Sequence, residues 1–246
     1  MRAVVVGAGI IGVCTAHALR RAGLDVTVLE RRSGVAQETS FANAGVMAPG
    51  YVGPWASPGM PRKVLDYMLR PEAPVVFRPS LSPALWRWIR RWLRECDMER
   101  YRRNRARMQR LAFYSQEELR TLRARHAIEY EQATGYLQLF RTDQEVEVSA
   151  TTRTMLTELG VRHQLFTAEQ CRALEPALHP ATDLAGGLNL PDDETGNCAF
   201  FAHQLKDIAI RDGVDFRFGV EVQAADMALG RVESLRTSTG PVRADA

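Results

Sequence analysis

The sequence of 246 residues is poor in cysteine, lacks long apolar runs and has an almost balanced charge. Its four cysteines form no CxxC pair and have no histidine at metal-ligand spacing, so neither a metal site nor a disulfide framework is indicated. No stretch of about 18 consecutive apolar residues occurs, so the sequence predicts no transmembrane helix. A net charge of +3 does not suggest a nucleic-acid-binding protein.

The N-terminus has a charged residue before an apolar run, as signal peptides do. Here, however, glycines interrupt the apolar run, and it is followed by His17, Arg20 and Arg21. No small-residue cleavage site lies at the expected distance after it. The first strand is predicted to start at residue 2 or 3, which leaves no room for a targeting segment. We therefore expect a cytoplasmic protein with reduced thiols.

The composition is that of a soluble globular protein, with 46% hydrophobic and 25% charged residues. Its length suffices for one large domain or two small ones. The charge is unevenly distributed, since residues 86–110 contain ten arginines and three acids. That segment has a net charge of +7, and the rest of the chain has −4.

A GxGxxG motif lies between a strand pattern and a helix pattern near the N-terminus. Residues 3–6 predict a buried strand, residues 11–21 predict a helix, and a second apolar run over 26–29 ends at Glu30. This order is the βαβ setting of a dinucleotide-binding fingerprint. A glycine turn in an unrelated α/β unit is the alternative, and the fingerprint alone does not distinguish NAD from FAD.

Each residue type in the motif has a physical role. Gly7 permits the tight turn, Gly9 lets a pyrophosphate approach the backbone, and Gly12 lets helix and strand pack closely. The phosphates would lie at a helix N-terminus, where free N–H groups and the helix dipole attract anions. Glu30 would accept hydrogen bonds from the ribose hydroxyls.

The remaining chain alternates between helical and strand-like patterns. Residues 33–61 predict a long irregular loop, because they are rich in glycine, proline, serine and alanine. Helices are predicted at 62–69, 83–95, 98–125, 142–159 and 199–212, and a capping box at Thr167 begins another. Strands are predicted at 135–140, 163–166, 185–191 and 214–218, followed by a three-stranded meander over 221–246.

Three stretches resemble the FAD-dependent D-amino acid oxidase (DAO) superfamily, and most closely its bacterial D-amino acid dehydrogenase branch (small subunit). They are residues 4–30, residues 38–61 beginning Glu-Thr-Ser-Phe-Ala-Asn-Ala-Gly, and residues 186–198. The resemblance implies an α/β fold, in which a Rossmann-like FAD/NAD(P)-binding domain carries an inserted α+β substrate domain. The expected division is 1–61 and 195–246 for the FAD-binding domain and 62–194 for the inserted substrate or cap region. Family members continue beyond residue 246, so a truncated chain is expected.

The resemblance also assigns cofactor contacts. Thr39, Ser40, Asn43, Ala44 and Gly45 would line the pyrophosphate and approach the flavin ring, where backbone N–H donors stabilise the negative charge of the reduced form. Arg31 would lie beside the adenine or its phosphates, and the main chain of Val222 would hold the adenine. An ordinary surface loop is the alternative for 38–45. The predicted FAD contacts are Val6, Gly7, Ala8, Gly9, Ile10, Ile11, Gly12, Glu30, Arg31, Thr39, Ser40, Asn43, Ala44, Gly45 and Val222.

Two further features have alternative interpretations. Residues 192–197, Asp-Asp-Glu-Thr-Gly-Asn, face the substrate region or form a turn with an N-cap for the next helix. Tyr136 lines the substrate face or belongs to the core.

The implied reaction is oxidation of a D-amino acid to a 2-oxo acid and ammonia, with FAD as the electron sink. The electrons would pass to a quinone-type acceptor rather than mainly to O2. In the family an arginine beyond residue 246 binds the substrate carboxylate, so no catalytic residue and no metal are assigned here. The alternatives are a non-catalytic fragment, a glycine- or sarcosine-oxidase-like amine oxidase, and an opine-type dehydrogenase.

Residues 85–94 predict a basic amphipathic helix. Leu85, Trp88, Ile89 and Trp92 share one face, and four arginines lie largely off it. Such a helix can lie in an anionic membrane surface, which suits electron transfer to a membrane quinone. The segment 85–110 therefore predicts peripheral contact with the inner face of the cell membrane. The alternative is a helix packed on its own domain with a solvated arginine side.

Overall fold

A computed structural model describes residues 1–68, 80 and 82–245. The strands are β1 (Arg2–Val6), β2 (Asp25–Glu30), β3 (Val46–Met47), β4 (Ala133–Phe140), β5 (Gln164–Phe166), β6 (Gly186–Thr195), β7 (Asp215–Phe218), β8 (Val222–Ala228), β9 (Arg231–Thr237) and β10 (Gly240–Val242). The helices are α1 (Ile10–Arg21), α2 (Met60–Met68), α3 (Pro83–Glu95), α4 (Met98–His126), α5 (Asp143–Glu158), α6 (Ala168–Leu174) and α7 (Cys198–Arg211).

The chain divides into two compact units, each built from separated segments. The first unit consists of Met1–Met47, Leu119–Thr134 and Glu194–Ala246, and the second of Ala48–Glu118 and Gly135–Asp193. The functional boundaries at residues 61 and 194 stay predictions, because compactness does not reveal which residues serve a cofactor or a substrate.

The first unit contains a parallel sheet with the strand order β1-β2-β7. Val5 of β1 lies opposite Val28 of β2, and Val28 lies opposite Phe216 of β7. Helices α1 and α7 pack together, and their apolar residues join those of the strands in one buried cluster. Buried parallel strands of this kind are typical of α/β folds. The βαβ start predicted from the sequence is thus confirmed.

A separate antiparallel sheet follows β7 in the first unit. Its strand order is β10-β9-β8, which is the predicted three-stranded meander. The turn between β8 and β9 has Leu229 and Gly230 at positive φ, as a tight hairpin requires.

The second unit contains a small core around β4, β6, α5 and the segment after it. Its buried cluster consists of Phe140, Leu156, Val161, Leu188 and Leu190. The side chain of Thr142 caps α5 by accepting a hydrogen bond from the N–H of Glu145. The predicted capping box is confirmed at the start of α6. The hydroxyl of Thr167 accepts the backbone N–H of Gln170, and the side chain of Gln170 accepts the backbone N–H of Thr167.

Most predicted elements are confirmed to within two residues, with one larger correction. The strand predicted at 185–191 continues to Thr195, so the interpretation of 192–195 as a turn was wrong. Pairing explains the error: Thr195 and Glu194 lie opposite Val46 and Met47 of β3, a partner far away in sequence. Leu69, the predicted end of α2, lies outside the described residues.

None of the helices in the described part of the chain combines the length and the apolar character needed to cross a membrane.

Candidate functional site

A cavity of about 360 Å³ opens within the first unit at the carboxyl ends of β1 and β2. Ligands of open parallel sheets bind at this edge, because the strands end there in loops that reach the helix N-termini. The lining residues are Val6, Gly7, Gly9, Leu29, Glu30, Arg31, Arg32, Ala36, Gln37, Glu38, Thr39, Ser40, Val220, Glu221 and Val222.

The N-terminus of α1 borders this cavity and is open to an anion. Its N-cap is Gly9, which offers no side chain for capping, and the first turn contains no acid. The N–H of Ile10 donates to Oγ of Ser40 at 3.0 Å. Because this oxygen acts as the acceptor there, the hydroxyl proton of Ser40 is available to a ligand. The helix end therefore combines backbone donors, a positive dipole end and one hydroxyl donor, which suits a pyrophosphate.

Two glycines bring α1 and β1 closer than any side chain allows. Gly7 has a φ of +96°, and its N–H donates to the carbonyl of Leu29 at 2.8 Å. A Cβ on Gly12 would lie only 1.9 Å from the carbonyl oxygen of Gly7. The turn that leads into the helix thus depends on glycine at both positions, as the fingerprint predicts.

Glu30 holds the two sides of the cavity edge together. Its Oε2 accepts the N–H of Ala8 at 2.6 Å, and its Oε1 accepts the N–H of Arg32 at 2.8 Å. Each carboxylate oxygen has a second lone pair, so both can still accept a hydroxyl. The side chain is therefore oriented in advance for a pair of ribose hydroxyls.

Two arginines and one acid form an ionic cluster at the cavity. Arg31 Nη2 donates to Glu38 Oε1 at 2.5 Å, and Arg32 Nε donates to the same oxygen at 2.9 Å. These hydrogen bonds lower the pKa of the Glu38 carboxyl, the bond from Arg32 contributing most. A second cavity, of about 320 Å³, shares Arg31, Arg32 and Glu221 with the first.

The structure brings most of the predicted FAD contacts together. Eight line the cavity: Val6, Gly7, Gly9, Glu30, Arg31, Thr39, Ser40 and Val222. Four belong to the turn or to the first turn of α1: Ala8, Ile10, Ile11 and Gly12.

The last three, Asn43, Ala44 and Gly45, do not line the cavity. Asn43 Oδ1 accepts the N–H of Gly45 at 2.8 Å, and the carbonyl of Gly45 accepts the N–H of Gly196 at 2.8 Å. A Cβ on Gly45 would lie 2.1 Å from the carbonyl oxygen of Gly196. These three residues form a tightly packed turn, and their contact with the flavin ring stays a prediction.

Sequence reasoning assigned no contact to seven lining residues. They are Leu29, Arg32, Ala36, Gln37, Glu38, Val220 and Glu221. Arg32 and Glu38 carried a signal, since charged residues of opposite sign flank the loop after the fingerprint. Nothing in the sequence indicated Val220 and Glu221, because only the pairing of β7 with β2 brings them to the cavity.

The acids of the 192–197 segment hold neighbouring backbone and side chains. In the second unit, Asp193 is buried and accepts the N–H of Gly50 at 3.1 Å, and burial raises the pKa of Asp193 to about 6. In the first unit, Glu194 accepts the hydroxyl of Tyr130 at 2.8 Å. The predicted N-cap is confirmed, since Asn197 Oδ1 accepts the N–H of Phe200 at 2.9 Å.

Tyr136 belongs to β4 in the second unit and is partly buried. Its ring centroid lies 5.1 Å from that of Tyr51, and it packs against the apolar cluster of this unit. Burial is the main cause that raises the pKa of Tyr136, and Tyr51 adds to it. Tyr136 is therefore partly a core residue, and its contact with a substrate stays a prediction.

The basic helix α3 begins at Pro83 and ends at Glu95, as predicted, and none of its residues is buried. Trp86 and Trp88 are exposed by 52% and 61%, and Trp88 stacks on Trp92 with ring centroids 6.4 Å apart. Leu85 and Ile89 are half-buried. The helix is therefore amphipathic, with tryptophan side chains in contact with solvent.

Among the described residues, no group of three or more histidines, cysteines, aspartates and glutamates has the arrangement of a metal site.

Comparison with known proteins agrees with this geometry. Residues 2–246 match the DAO family, described as FAD dependent oxidoreductase. D-amino acid dehydrogenase of Phenylobacterium zucineum is 48% identical over 248 residues, covering all of this chain and 58% of that protein. D-amino acid dehydrogenase of Granulibacter bethesdensis is 43% identical over 248 residues, again covering the whole chain and 59% of that protein.

Solved structures share the fold. The glycine oxidase of Geobacillus kaustophilus matches with a TM-score of 0.64 at 20% identity, covering 99% of this chain and 53% of that one. The chain thus spans somewhat more than half the length of the relatives it matches. Because the family match extends over residues 2–246, the chain belongs to the DAO family of FAD-dependent oxidoreductases.

Proposed function

We propose that this chain forms part of a D-amino acid dehydrogenase, which oxidises D-amino acids to 2-oxo acids and ammonia. The observation that carries the proposal is the cavity at the N-terminus of α1, whose donors and acceptor suit the adenosine diphosphate part of FAD. The names of its relatives support the substrate class.

The residues of the first unit would bind and orient FAD. The backbone N–H groups of Ile11 and Gly12 and the hydroxyl of Ser40 would donate to the pyrophosphate, while Glu30 would accept the ribose hydroxyls. The main chain at Val222 would contact the adenine. When bound, FAD supplies the electron sink for the oxidation.

The absorption spectrum tests this assignment. The purified chain, loaded with FAD and passed through gel filtration, is expected to retain the two visible bands of oxidised flavin. Addition of a D-amino acid such as D-alanine under anaerobic conditions, with L-alanine as the control, then tests whether this chain oxidises substrate without the family arginine beyond residue 246, since oxidation would bleach the lower-energy band. A folded but colourless protein would contradict the cofactor site. A coloured protein that no D-amino acid bleaches would contradict the dehydrogenase activity of this chain alone.

We further propose that the electrons pass to a quinone-type acceptor and that α3 contacts the membrane that contains it. The exposed Trp88, on the helix face that it shares with Leu85 and Trp92, offers apolar area, and the arginines of residues 86–110 offer charge that complements anionic lipid.

Vesicle binding tests this membrane contact. The triple variant Arg87→Gln, Arg90→Gln, Arg91→Gln is expected to bind anionic vesicles about a hundredfold more weakly, since each basic residue near the surface contributes about 1 kcal/mol. The matched control replaces three exposed arginines elsewhere, Arg141, Arg231 and Arg243, by glutamine. Equal loss in both triple variants, or wild-type binding that does not weaken with salt, would contradict the role of α3.

A further inference from the structure

The two arginines directly after β2 share one carboxylate, which neutralises one of their two positive charges. Glu38 Oε1 lies 2.5 Å from Arg31 Nη2 and 2.8 Å from Arg32 Nη2, and Arg32 Nε donates to it as well. The Glu38 side chain is 46% exposed, so the cluster lies at the open side of the cavity.

The other acids of the cavity add further negative charge near the arginines. Glu30 and Glu221 also line it, so two positive charges face three negative ones. The pKa of Arg31 is raised, first by its hydrogen bond to Glu38 and then by the charge of Glu38, with smaller contributions from Glu221 and Glu30. The cavity lining therefore has no net positive charge at the arginine pair, whereas a pair of arginines that binds phosphate provides one.

These arginines stand where a phosphate on the adenosine ribose would bind, so their pairing with Glu38 affects which nucleotides fit. A residue at the end of the second strand of a βαβ unit contacts the ribose, and an arginine nearby is what accommodates a phosphate on the 2′-oxygen. Guanidinium groups bind phosphate through paired N–H donors. Glu38 occupies such donors on both arginines and neutralises one of the two charges.

We infer that Glu38 is a specificity-determining residue, which excludes nucleotides with a 2′-phosphate by occupying Arg31 and Arg32. This inference rests on the proposed function in one respect, the binding of adenosine in the cavity. Glu30 discriminates directly at the ribose, and Glu38 acts through the arginines as a positioning residue.

Calorimetric titration with two ligands that differ by one phosphate tests the inference. ADP-ribose and 2′-phospho-ADP-ribose are titrated into the wild-type chain and into Glu38→Gln. The affinity ratio is expected to shift about threefold to tenfold toward the phosphorylated ligand in Glu38→Gln, because the variant removes the negative charge that Arg31 and Arg32 share. The shift is expected to shrink at high salt, since the cluster is exposed.

Two further variants separate the role of Glu38 from a general change of charge. Asp215→Asn breaks a similar exposed pair, with Arg217 at 2.7 Å, at the opposite end of the parallel sheet. This control is expected to leave the ratio unchanged. In the double variant Glu38→Gln, Arg31→Gln the gain is expected to disappear. Circular dichroism confirms that each variant is folded.

The outcomes are distinguishable. An unchanged ratio in folded Glu38→Gln, or the same change in Asp215→Asn, would overturn the specificity role while leaving the adenosine site intact. Failure of the wild-type chain to bind ADP-ribose would overturn the site itself and this inference with it.

Discussion

Replacing Gly12 with alanine is expected to destabilise the first unit by about 3 kcal/mol, at the upper end of the range for overpacking. The new Cβ would lie 1.9 Å from the carbonyl oxygen of Gly7, a backbone atom in the turn itself. Either α1 or the turn must move, and both contribute to the cavity. Loss of FAD binding is therefore expected together with the loss of stability.

Urea denaturation and FAD titration measure the two effects of Gly12→Ala. Gly53→Ala is the matched control, because its Cβ would meet the hydroxyl of Tyr101 at 3.4 Å, an ordinary contact. This control is expected to change stability by less than about 1 kcal/mol. A Gly12→Ala protein with wild-type stability and affinity would show that the close approach of helix and strand is unnecessary.

Replacing Glu30 with glutamine is expected to weaken FAD binding about 10- to 100-fold. The amide keeps one oxygen acceptor, and its NH2 group must face the N–H of either Ala8 or Arg32. The N–H of Ala8 is buried, and a buried donor without a partner costs about 1–3 kcal/mol. One of the acceptors for the ribose hydroxyls is lost as well.

Equilibrium titration with FAD, together with thermal unfolding of the free chain, separates the two contributions. The control Glu233→Gln removes a carboxylate from an exposed position of β9, away from the lining residues. We expect Glu233→Gln to bind FAD as the wild type does. If Glu30→Gln bound FAD with unchanged affinity, the carboxylate would have no role at the ribose.

Local patterns were sufficient for most of the elements. The apolar runs of β1 and β2, the Pro83 start of α3 and the capping box at Thr167 all depend on neighbours within a few residues. Such signals are present in the sequence itself, because caps and hydrophobic periods are local properties. The glycine spacing likewise indicated where α1 meets β1.

Pairing between strands that are far apart in the chain could not be predicted from these local patterns. The extension of β6 to Thr195 depends on β3, which lies more than a hundred residues earlier in the chain. The inclusion of Val220 and Glu221 in the cavity depends on the parallel pairing of β7 with β2. Gly45 likewise packs in a turn instead of lining the cavity, because its carbonyl accepts the N–H of Gly196, a residue far away in the chain.

The sequence by itself determined the βαβ unit, the glycine turn and the acid at its edge, because each is specified by residues close together in the chain. The tertiary structure alone decided which contacts the acids make: Glu30 joins two backbone segments, and Glu38 pairs with two arginines. The first arrangement depends on the parallel pairing of β1 with β2, which places Ala8 beside Glu30, and the second on the loop after β2, which returns Glu38 to Arg31 and Arg32.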